Sequence, residues 1–151
     1  MDSDPTAADA DDHVPETEPD ALAIARRLVR SARTATLATV GRDGAPNASY
    51  GAVATMPDGR PIVLVSRLSP HTRNLDRDPR CSLLFADAPP PPGEDPMTSP
   101  RVTLTGRMEV AEGGRARERF LRRNPKAELY ADFGDFSFQA LSVEGAHLVG
   151  G

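Results

Sequence analysis

The nine residues Ser66-Arg67-Leu68-Ser69-Pro70-His71-Thr72-Arg73-Asn74 concentrate hydroxyl, imidazole and guanidinium groups in one short stretch. An apolar run, Ile62 to Ser66, ends there. Ser69-Pro70 then has the chemistry of a helix start, with Ser at the N-cap and Pro in the first helical position. The leading amides of a helix lack internal partners and carry the positive end of its dipole, so an anion is favoured beside them. Ser66, Ser69 and Thr72 add hydroxyl donors, and Arg67, His71 and Arg73 add charge-assisted ones. A phosphate is the natural ligand of such a corner. The same residues also make an ordinary capped helix with solvated arginines, and composition alone leaves both readings open.

A second candidate is Asn47-Ala48-Ser49-Tyr50-Gly51-Ala52, whose small residues leave room for a flat ring against a strand backbone. Packing beneath a helix would explain the same composition. Cys81 opens the apolar run CSLLF and reads as inert core rather than as a nucleophile. His13, His71 and His147 share no ligand spacing, so no metal site is expected. Arg115 to Lys126 (RARERFLRRNPK) forms a basic helix without an aromatic platform, which reads as a solvated face and not as a nucleic-acid surface. No P-loop, GxGxxG or GxSxG occurs.

These residues need a scaffold, and the hydrophobic pattern supplies one. Leu22, Ala25, Leu28, Val29 and Ala32 repeat at helical spacing, with Asp20 as N-cap and an end near Arg33. Strand-like runs follow at 34–40, 46–55, 62–66, 81–85, 101–110 and 136–149. Turn residues at 41–44 and 57–59 join the first three into an antiparallel meander. Helices are expected at 70–77, 115–123 and 125–130. Six prolines between Ala88 and Pro100 mark a stiff excursion outside the sheet. The tally is a mainly β (α+β) fold: a six-stranded antiparallel barrel with peripheral helices.

Composition sets the outer bounds. A chain of 151 residues with 38% hydrophobic content suits one domain, and with no Trp its core must be aliphatic. Residues 1–20 hold eight acidic groups and no Lys or Arg, so 1–19 is expected to be a disordered acidic tail and 20–151 the folded domain. One Cys excludes an internal disulfide, and neither a signal sequence nor an 18-residue apolar run occurs. A cytoplasmic protein without membrane segments is the expectation.

The order of segments TATLAT, GAPNASYGAVAT, PIVLVSRLSPHTRNLDRDPRCSLLF, DPMTSPRVTLTGRMEV and FLRRNPKAELYADFGDFSFQALSVEGAHLVGG resembles the pyridoxamine 5′-phosphate oxidase-like FMN-binding split barrels. It is most similar to the branch that contains the heme-utilisation proteins. The resemblance covers residues 20–151. It implies a six-stranded split β-barrel that forms a homodimer, with FMN in clefts between the subunits. It further implies that the phosphate meets Ser66, Leu68, Ser69, His71 and Thr72 with Arg73 nearby. Ser49, Tyr50, Gly51 and Ala52 would then run beside the isoalloxazine, and Arg101 would stand where the oxidases carry a flavin-contacting Gln. The chain departs from the oxidases at Ser49 and Ala54, where they carry Arg and Lys, and at Pro70-His71, where they carry Arg-Lys. Their C-terminal substrate segment has no counterpart, which argues against vitamin B6 oxidation.

The expected function is therefore an FMN-dependent oxidoreductase acting on a small-molecule substrate, with the flavin carrying the redox chemistry. Arg101 would stabilise the reduced ring. A deazaflavin in place of FMN remains open. So does a heme-binding or heme-degrading protein on the same barrel, for which His71 and His147 are the candidate iron ligands. A third reading is a non-catalytic module whose proline-rich segment fills the cleft.

Overall fold

Strands built from β-branched and small residues pair in the computed structural model, which describes residues 19–150. The expectation of a disordered acidic tail falls, but for Pro19, outside the described residues. Six strands form: β1 (Thr34–Val40), β2 (Pro46–Thr55), β3 (Pro61–Ser66), β4 (Arg80–Ala86), β5 (Arg101–Val110) and β6 (Phe136–Val149). They close into an antiparallel barrel in the order β1-β2-β3-β6-β5-β4. The hairpin turns place Gly44 and Gly59 at φ of 76° and 93°, a region that side chains with a Cβ seldom enter.

Alternation decides what faces inward. In β5, Val102, Leu104, Gly106 and Met108 are buried while Thr105, Arg107 and Glu109 are exposed. The barrel core joins these to Leu37, Val53, Val65, Leu83, Phe85 and Leu141. Gly106 lies where the β5–β6 register shifts, and a Cβ there would overlap the Ser142 carbonyl oxygen. Helix α1 (Pro19–Ser31) closes one side with Leu28 and Val29. Helix α3 (Gly114–Arg123) packs on the outside and builds a smaller cluster from Phe120, Ala116, Ile62 and Ala54.

Three details differ from the sequence expectation. Helix α1 stops at Ser31 rather than near Arg33, because the Arg33 carbonyl is taken by the Val53 amide at the edge of the sheet. Asp20 lies inside the first turn of α1 instead of capping it, and Leu22 is exposed. The proline-rich excursion is not simply extended. It contains a 3₁₀ turn, Pro96–Thr98, capped by the Asp95 side chain, and Ser99 ties its end to the Ala88 carbonyl at 3.2 Å.

One feature of the sheet matters most for function. Strand β2 pairs with β1 from Pro46 to Ala52, but with β3 only through Val53, Ala54 and Thr55. Beyond Val63, β3 pairs with β6 alone. The barrel is thus split between the first half of β2 and the end of β3. Among the described residues no helix is long and apolar enough to cross a membrane.

Candidate functional site

A cavity of about 380 Å³ opens at the split. Its floor is the barrel interior, where Ala35, Leu37, Val53, Val65 and Leu83 face inward by strand alternation. Ser49, Tyr50, Gly51 and Ala52 of β2 form one wall, and Tyr130 and Phe136, with rings 5.1 Å apart, form another. Helix α2 (Pro70–Arg77) presents His71 at the mouth. A Cβ built on Gly51 meets no heavy atom within 4 Å, so the strand backbone there borders open space. The Tyr50 hydroxyl bonds Thr34 Oγ1 at 2.7 Å and holds its ring along the rim. Tyr50, Leu68 and Leu129 are 76%, 75% and 80% exposed, and Phe133 is exposed as well.

His71 is half-buried, and loss of water lowers its pKa below the ordinary 6.5. Its ring is therefore neutral at pH 7, the form that ligates a metal. Thr72, its neighbour, is only 2% exposed, and its Oγ1 has no hydrogen-bond partner among the described residues. Asn74 anchors α2 to the barrel by donating to Thr39 Oγ1 at 3.0 Å.

The structure brings Ser66, Leu68, Ser69, His71, Thr72 and Arg73 into one corner, but only His71 of that set lines the cavity. Ser69 sits at the N-cap with extended backbone, yet its hydroxyl makes no capping bond. Ser66 Oγ donates to Asp135 Oδ2 at 2.7 Å and accepts from the Leu68 amide at 3.2 Å. Arg73 donates to the Leu68 carbonyl at 3.0 Å, and Arg67 to the Gly134 carbonyl at 2.9 Å. Asp135 was invisible to sequence reasoning, since it lies 69 residues from Ser66. Its carboxylate opposes an anion at this corner, while the orphaned Thr72 hydroxyl invites one. Arg101 stands apart from the cavity wall. It pairs with Ala86 and Val149, and its guanidinium donates to the Met97 carbonyl at 2.8 Å.

Cys81 is buried, and burial pushes its thiol up to about 11, which keeps it protonated and unreactive. His147 lies exposed on β6, away from the cavity. The wall residues that sequence reading missed are the inward-facing Leu37, Val65 and Leu83 together with Phe120, Tyr130 and Phe136. Strand alternation carried a signal for the first three. Nothing local marks the aromatic ones.

A closed six-stranded antiparallel barrel, split between β2 and β3 and flanked by helices, defines the class of split β-barrels. The comparisons with known proteins make the assignment specific. The family model described as pyridoxamine 5′-phosphate oxidase matches residues 23–149, and the chain belongs to that family. It is 40% identical over 112 residues to the chloroplastic non-canonical heme oxygenase HOZ of Arabidopsis thaliana, a match that covers 72% of this chain and 33% of that protein. Among solved structures it is similar to a heme binding protein from Mycobacterium smegmatis, with 37% identity and a TM-score of 0.80. That likeness covers 89% of this chain and 55% of the other. The protein Atu2129 of Agrobacterium tumefaciens, of unknown function, gives 33% identity and a TM-score of 0.79 over 88% of this chain and 57% of its own. The chain thus spans a third of the curated relative and little more than half of these two structures.

Proposed function

We propose that this chain binds heme in the split-barrel cleft, as the alternative reading of the sequence held, with the unit 20–151 as the binding domain. The observation that carries this reading is a half-buried His71 set at a largely apolar cavity. The chain's similarity to a mycobacterial heme binding protein and to a plant heme oxygenase supports it ahead of the flavin oxidoreductase. Heme, when bound, supplies the iron chemistry. This chain's own contribution is to present the His71 imidazole, to bury an apolar face against Leu37, Val65 and Leu83, and to exclude water behind Tyr130 and Phe136. The exposed apolar rim of Tyr50, Leu68, Leu129 and Phe133 is the surface on which a second copy would close the cleft.

Hemin titrated into the purified protein should give a saturable Soret change, and His71→Ala should weaken it strongly. An unsaturable titration, or a variant indistinguishable from the parent, rejects the reading. Sedimentation tests the homodimer, and only monomer at micromolar concentration counts against a shared cleft. A second reading, FMN in the same cleft, is favoured by the partnerless Thr72 hydroxyl and the open space beside Gly51. It predicts flavin fluorescence quenched on binding, with Ser69→Ala and Thr72→Ala together weakening the phosphate grip.

A further inference from the structure

Beside α3, four arginines converge on a second pocket of about 310 Å³. Arg30 comes from the last turn of α1, and Arg119, Arg122 and Arg123 come from α3, with Thr55 at the end of β2 as the remaining wall. None of these residues lines the split-barrel cavity.

The fold does not account for all of this charge. Arg119 is held by the Thr55 carbonyl through Nε, and Arg123 reaches the Ser31 and Ala32 carbonyls at the end of α1. Both bonds fix the guanidinium without neutralising it. Arg30 makes only a 3.5 Å bond, to the Pro57 carbonyl. Arg122 alone meets a carboxylate, Glu118 at 2.8 Å on an exposed surface. Among the described residues Arg30, Arg119 and Arg123 form no ion pair. Arg123 Nε is also closed off from solvent and finds no acceptor among the described residues. Four like charges around one small space repel each other, and an unmet buried donor adds a further cost. Arg30 and Arg122 are exposed, so substituting them would relieve the repulsion without disturbing the barrel.

We propose that this pocket is a binding site for a phosphate-class anion bearing two or more negative charges. Guanidinium forks match phosphate oxygens in geometry as well as charge. Carbonyl bonds from Thr55, Ser31 and Ala32 hold Arg119 and Arg123 in place before the anion arrives, which lowers the entropy lost on binding. The split-barrel corner at Ser66 has Asp135 against its Ser, whereas here Glu118 is paired with Arg122 and Asp58, close to Arg30, with Arg60.

Inorganic pyrophosphate is the probe, titrated calorimetrically into the full chain at low ionic strength. The parent should bind it saturably, and Arg30→Gln with Arg122→Gln should weaken binding by roughly tenfold or more. Raising the salt should weaken binding to the parent, as expected for a contact between charges. Hemin titration of the double variant should match the parent, so failure at this site and failure of the heme reading are distinguishable. No heat of binding up to millimolar pyrophosphate, or equal affinity in parent and double variant, overturns the proposal. Both chosen residues are at the surface, and a thermal melt at or above that of the parent verifies that the variant folds.

Discussion

The sharpest test of the cleft uses two glycines that look alike in sequence. Among the described residues a Cβ on Gly51 meets no atom within 4 Å, and its backbone is not left-handed, so the Cβ of Gly51→Val enters without a clash. Valine is at home in a strand, and surface substitutions of this kind change stability by about 0.5 kcal/mol or less. For a domain of this size that corresponds to a shift of about 1–3 °C in Tm. The new methyl groups instead enter the space a planar cofactor would fill. Overpacking an occupied space costs about 1–3 kcal/mol, which weakens Kd by roughly 5- to 150-fold. Gly106→Ala is the contrast. Its Cβ would overlap the Ser142 carbonyl oxygen and stand 3.0 Å from the carbonyl carbon, so this variant should lose stability without touching the cleft. Thermal melts of the cofactor-free proteins and hemin titrations followed at the Soret band separate the two effects. If Gly51→Val melts far below the parent, the space beside β2 is not open. If it binds hemin as tightly as the parent, the cofactor lies elsewhere.

Other consequences are open to measurement. Thr72→Val removes a buried hydroxyl with no partner and should raise the Tm of the cofactor-free protein, since such a group costs about 1–3 kcal/mol; a lower Tm would mean that Oγ1 has found a partner. Burial lowers the His71 pKa below 6.5, so the unfolded chain takes up the proton first. The stability tied to the neutral ring is complete above pH 6.5 and declines as pH falls toward the lowered folded value. His71→Gln should remove that part of the acid sensitivity, and parallel pH melts of parent and variant that never diverge would contradict the assignment. Cys81, buried and held up to about 11, should resist a thiol reagent in native buffer and react once denaturant is added; prompt native labelling would contradict its place in the core.

Period-two alternation, helical spacing and turn residues are local properties, and they were enough to place the six strands, the hairpins joining the first three, and the helices. The Ser69-Pro70 start of α2 was equally legible, because Pro fixes the backbone dihedral that a helix needs at its first position. So was the burial of Cys81, which follows from the apolar run around it. What the chain could not reveal by itself is which half of β2 keeps its partner. The pairing of Val53, Ala54 and Thr55 with β3, and its loss beyond them, depends on how far β3 leans toward β6. That divergence opens the cleft. The same distance in sequence hid Asp135 beside Ser66 and gathered Arg30 with the arginines of α3. Charges and cavities arise where remote segments meet, and no periodicity in the chain encodes that meeting; only packing of the closed barrel against its helices decides it.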